Sequence, residues 1–235
     1  MTQPGPLKIF ATILRPSAAM IAAYAAILAW AGYLCIQSPG EMRAVYVVLL
    51  LCQSFSAATG FAIRARRGHF DPVLAAPASR LAVGFAHALV SMAIGLVAWL
   101  LASIIEAIAT HGQVPLGLAL PSLAALLYMS AVAWAAALPF ARYSSGVVWL
   151  ILAIALAGAG KLLALRQAYA AVAADPAGDV WSATGAALVF PPLMITEPSA
   201  PIAVSALLVL GAAIVVAGLG VLAVDLFDFP LVDPS

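Results

Sequence analysis

Long runs without an ionised side chain recur along this chain, and they fix its solvent. Residues 17–36, 44–63, 81–105, 118–140 and 202–224 contain no Asp, Glu, Lys or Arg. Another apolar run begins near Ser145 and fades between Lys161 and Arg166. About 20 apolar residues suffice for a helix to cross the roughly 30 Å hydrocarbon layer of a bilayer. Of the 235 residues, 66% are hydrophobic and 8% are charged. A water-soluble domain carries about 25% charged residues. The chain therefore folds in lipid, as a single membrane domain over residues 1–235. A net charge of +1 provides no concentrated basic face for phosphates, which excludes nucleic acid as a partner.

The expected fold is an all-α membrane protein with six transmembrane helices. Residues 6–16 form an N-terminal interfacial helix in this reading, with Lys8, Thr12 and Arg15 on one side. Alternatively, they extend the first span. The connection 161–200 contains an apolar stretch, 180–195, interrupted by Pro191-Pro192. It is too short for a span and suits a broken, re-entrant or interfacial segment before the last helix. Six spans place both termini on one side. Lys8, Arg15, Arg64, Arg66, Arg67, Arg80 and Arg142 then share one face, and Arg43, Lys161 and Arg166 the other. The richer face is cytoplasmic by the positive-inside rule, in the cell (inner) membrane.

Residues 81–105 have the clearest pattern. Gly84, Ala88, Ser91, Gly95, Ala98 and Ala102 draw a stripe of small residues. Phe85, Leu89, Met92, Leu96 and Trp99 draw a large-residue stripe beside it. Small stripes permit close helix packing, so this helix is expected inside the bundle. Ala213, Ala217 and Gly220 form a weaker small face, suited to a contact within the chain or between copies.

Few residues point to chemistry. Cys35 and Cys52 form no disulfide or metal pattern and read as small apolar side chains. His69, His87 and His111 have no metal-ligand spacing. Gly158-Ala159-Gly160-Lys161 lacks the other residues of a phosphate loop, so nucleotide chemistry must come from a partner. Gln53, Ser56 and Thr59, with Tyr24 and His87, are polar groups at membrane depth. They either hydrogen-bond between helices or line a translocation path. His87 has Ser91 one turn away. Glu106 reads as a hydrated carboxylate at the outer interface. An intramembrane enzyme would need a nucleophile–base pair, paired aspartates or a metal cluster within the spans, and none is evident.

Between the second and third spans lies Arg64-Ala65-Arg66-Arg67-Gly68-His69-Phe70-Asp71-Pro72-Val73-Leu74-Ala75-Ala76-Pro77-Ala78-Ser79-Arg80. Asp71-Pro72 is a helix start, and Pro77 ends the short helix it opens. The run from Arg67 to Arg80 resembles the loop between spans two and three of ABC-2-type transporter permeases. That resemblance implies a coupling helix seated on a cytoplasmic ABC ATPase subunit. It assigns Arg64, Arg66, Arg67, Gly68, His69, Phe70, Asp71, Pro72, Leu74 and Arg80 to ATPase coupling. It further implies a second permease copy or a homologous permease, ATP and Mg on the partner subunit, no cofactor on this chain, and no catalysis by this chain alone. Export is expected, with an apolar or amphipathic cargo. The short outer loops argue against a polymer substrate with an external docking domain. A non-transport scaffold for an assembly or maturation complex is the alternative, ahead of an intramembrane enzyme.

Overall fold

The structure is a computed structural model. It describes residues 18–38, 41–66, 80–110, 116–138, 167, 180–196 and 202–226. These form seven helices among the described residues and no strand: α1 (Ala18–Gln37), α2 (Met42–Arg66), α3 (Arg80–Ala109), α4 (Leu116–Ala137), α5 (Val180–Val189), α6 (Leu193–Thr196) and α7 (Ile202–Leu226). The helices α1, α2, α3, α4 and α7 each contain a stretch long and apolar enough to cross a membrane. The expected interfacial helix 6–16, the capped helix near 71–76 and the fifth span from Ser145 lie outside the described residues.

Packing joins the helices into one bundle. The most extensive contact is between α4 and α7, followed by that between α2 and α4. A core of Tyr24, Ala31, Leu49, Leu50, Ala98, Ala102, Ala124, Ala125 and Val209 runs through the junction of the five long helices. The exposed apolar side chains, among them Ile36, Leu101, Ile108 and Ile214, form the lipid-facing surface.

The small stripe on α3 faces inward, with Ala88, Gly95, Ala98 and Ala102 buried. Beside it, Leu89 and Leu96 are exposed. Trp99 departs from that outward set. It is half-buried, and its indole N–H donates to Ser122 Oγ of α4 at 2.9 Å. The weaker stripe on α7 makes a contact within the chain. Gly220 faces Trp134 of α4, and a Cβ there would lie 2.5 Å from the indole Cζ3. Absence of a side chain at 220 lets the two helices close over a large aromatic ring.

These contacts fix helix direction. Trp134 and Gly220 lie near the C-terminal ends of α4 and α7, so the two helices run in parallel. At the other end of α7, Ser205 Oγ is 3.4 Å from Thr184 Oγ1 of α5, with the threonine donating. The same end carries the turn from α1 to α2, where Ser38 and Glu41 amides donate to the Leu34 and Ser38 carbonyls.

The apolar stretch before α7 is broken at its prolines, as expected. Helix α5 ends at Val189, and α6 begins at Leu193. Neither Pro191 nor Pro192 has an amide hydrogen, which interrupts the helical ladder. The carbonyls of Phe190, Pro191 and Pro192 instead accept from Leu193, Met194 and Ile195, each at 3.0 Å. Leu193, Met194 and Ile195 are buried, with α6 packed against α4 and α2.

The Trp134–Gly220 contact makes a direct prediction. Gly220→Val should destabilise the protein by about 1–3 kcal/mol through overpacking. Gly218→Ala, where a Cβ meets nothing within 4 Å, should change stability little. Unfolding in mixed detergent micelles compares the two.

Candidate functional site

Polar side chains in this bundle fall into two groups. Some bond back onto their own helix. Ser54, Thr59 and Ser130 donate to the carbonyls of Leu50, Phe55 and Leu126, one turn earlier. Such hydroxyls satisfy themselves without a partner helix. Others bridge helices; besides the Trp99–Ser122 and Thr184–Ser205 bonds, these form three clusters at different depths.

The central cluster joins α1, α2 and α3. Tyr24 Oη donates to Gln53 Oε1, and both residues are buried. Gln53 is packed over Gly95 of α3, where a Cβ would lie 2.5 Å from the Gln53 Cδ. A larger residue at 95 would take the space of the amide. Ser56, one turn along α2, donates to Met20 Sδ of α1. Three of the expected path residues, Tyr24, Gln53 and Ser56, are thus brought together between α1 and α2.

The second cluster joins α3, α4 and α7. Trp134 Nε1 donates to His87 Nδ1 at 3.1 Å, with neither residue exposed. Accepting through Nδ1 requires that nitrogen to be unprotonated in this arrangement. Gly220 seats the opposite part of the indole ring. His87 precedes Gly95 by about two turns on α3 and belongs to this separate cluster. Thr59 joins neither, since its hydroxyl serves its own helix.

The third cluster lies at the opposite end of α3. Tyr46 Oη donates to Glu106 Oε2 at 2.6 Å and lies 3.2 Å from Ser103 Oγ. Glu106 is only 5% exposed. The expectation of a hydrated interfacial carboxylate is therefore corrected. Tyr46 and the packing of α2 against α3 cover it, although the helix ends just beyond, at Ala109. Cys35 Sγ lies 3.4 Å from Met42 Sδ close by, across the α1–α2 turn.

Of the expected coupling residues, Arg64 and Arg66 lie in the last turn of α2, and Arg80 opens α3. Arg67, Gly68, His69, Phe70, Asp71, Pro72 and Leu74 lie outside the described residues. Among the described residues, no group of three or more His, Cys, Asp or Glu side chains could hold a metal ion.

Sequence reasoning missed Tyr46, Ser103, Trp134 and Met20 as partners. Tyr46 and Trp134 carried one available signal, a polar handle on a ring that seeks a partner when buried. Which partner each finds depends on helix register, which the sequence leaves open.

No family model, curated protein or solved structure matches this chain.

The central cluster predicts a graded response. Tyr24→Phe should cost about 0.5–1.5 kcal/mol, the usual range for an interhelical bond in lipid. Thr59→Ala should be nearly silent. Equilibrium unfolding in mixed micelles reads both.

Proposed function

We propose that this chain is the membrane-spanning permease subunit of an ATP-driven exporter of the ABC-2 type. The observation that carries the reading is the pairing of α2 with α3 around the arginine-rich connection. These helices pack against each other and end at Arg66 and Arg80, flanking that connection. A push delivered to residues 67–79 from a cytoplasmic protein would act on both helices at once. The Gln53–Gly95 contact links α2 with α3, and the Tyr24–Gln53 bond carries displacement to α1.

In this mechanism the chain does no covalent chemistry. ATP and Mg sit on a separate ATPase subunit, whose closure drives the push. Two copies of the chain, or one copy with a homologue, form the path between them. Tyr24, Gln53 and Ser56 respond to movement of α1 relative to α2, and His87 to movement of α3 relative to α4. An apolar or amphipathic cargo suits so sparse a set of polar groups.

Six crossings with both termini cytoplasmic complete the reading. Helix α4 finishes at Ala137, at the end where Trp134 meets Gly220. Helix α5 lies at the other end, tied to Ser205. A crossing within 139–179 accounts for this, and the apolar run from Ser145 is its natural candidate. The broken α5–α6 segment enters the outer face as a re-entrant element, its apolar side chains packed on α4 and α2.

The test is a pull-down of the tagged chain from native membranes, with a Phe70→Ala, Asp71→Ala double variant beside it. Recovery of an ATP-binding protein with the wild type, and its loss with the variant at equal expression, is the expected outcome. Absence of an ATPase from both would favour the scaffold reading instead.

A further inference from the structure

Helix α5 has ten residues, too few to cross a bilayer, yet one side of it faces out of the bundle. On that side Trp181 is 76% exposed and Val189 57% exposed. Gly185 lies between them, and a Cβ there would meet nothing within 4 Å. The inward side consists of Ala183, Thr184, Ala186 and Ala187, all buried, and α5 packs on α7. Small residues inward and large apolar ones outward suit an element set between a helix bundle and lipid.

The two ends of this stripe have different surroundings. Thr184 meets Ser205 in the first turn of α7, and Trp181 lies one turn earlier on α5, beside the charged Asp179 in sequence. No further charged residue follows until Glu197. Beyond Val189 the chain enters α6, where Leu193, Met194 and Ile195 are buried and pack on α4 and α2. Helix α5 thus leads from a charged terminus toward the apolar interior. Residue chemistry follows the same gradient. An indole combines an apolar ring with an N–H donor and settles at the headgroup boundary. Valine presents only a branched alkyl group, which matches acyl chains. Tyr33, 60% exposed and one turn from the end of α1 at the same end of the bundle, marks the same boundary.

We propose that the Trp181–Gly185–Val189 face of α5 docks on phospholipid of the outer leaflet, with α5 tilted into it. Trp181 anchors the helix at the level of the glycerol and carbonyl groups, and Val189 lies among the acyl chains. The lipid thereby sets the depth of α5 and of the buried α6 that follows it. Assigning the leaflet as the outer one rests on the orientation in the permease reading; the docking itself does not.

The experiment reads tryptophan emission of the full chain in phosphatidylcholine nanodiscs, with no ATPase present. Bromine is placed on the acyl chains either near the carbonyl end or near the methyl end. Subtracting the emission of Trp181→Phe from that of the wild type isolates one indole among the chain's five. Bromine near the carbonyls should quench it more than bromine near the methyls. A second variant, Trp181→Phe with Val189→Trp, moves the indole about 12 Å along α5, at 1.5 Å per residue. There the balance should shift toward the deeper bromine. Both positions face out of the bundle, so its packing is kept. Preferential quenching of Trp181 by aqueous iodide overturns the proposal, because the indole then lies in water. An indole reached by neither bromine nor iodide also overturns it, and indicates cover by a second copy of the chain. Equal depth at 181 and 189 overturns the tilt and lays α5 flat on the surface. Each of these results leaves the ATPase pull-down free to succeed or fail by itself.

Discussion

The bundle depends on close approach of helix backbones in a solvent that gives no hydrophobic reward for helix contact. Lipid tails are as apolar as leucine, so dispersion contacts and interhelical hydrogen bonds must hold the helices together. Gly95 and Gly220 provide the approach, and each meets a polar-tipped side chain of a neighbouring helix, Gln53 and Trp134 respectively. Each such side chain then reaches a further partner, Tyr24 or His87. Shape and hydrogen bonding are thereby coupled: the glycine admits the side chain, and the side chain carries the bond to a third residue.

This coupling separates two uses of polar residues in the same helix. On α2, Ser54 and Thr59 turn back to carbonyls of their own helix, while Tyr46 and Gln53 reach across to α3 and α1. Short hydroxyl side chains at membrane depth can satisfy themselves locally. Longer ones with an amide or phenol seek a neighbouring helix. The resulting links lie at four levels of α3, at His87, Gly95, Trp99 and Glu106, and make that helix the common partner of α1, α2, α4 and α7.

Much of the architecture was legible because bilayer thickness imposes a length scale that soluble folds lack. Uncharged runs marked α1, α2, α3, α4 and α7 to within a few residues, and Pro191-Pro192 marked the break between α5 and α6. The inward stripe of α3 followed from residue size alone, because only small residues let backbones meet. Pairing was less legible. Gln53 and Tyr24 were recognised as polar, but their bond depends on the rotation of two helices about their axes. The Glu106 environment was misread because distance from the end of an apolar run says nothing about what covers a side chain. Tyr46, far off in sequence, supplies that cover.

Helix α3 has 30 residues and α2 has 25. At 1.5 Å per residue they rise about 45 Å and about 38 Å, against roughly 30 Å of hydrocarbon. The bond between Tyr46 and Glu106 pins the two rods together near one boundary, so the surplus accumulates toward Arg66 and Arg80. A bilayer accommodates such excess by tilt or by local thickening, each at a fraction of a kcal/mol per Å. Membrane thickness therefore sets how far these two arginine-bearing ends stand above the acyl chains, and the lipid becomes a mechanical component of the pair.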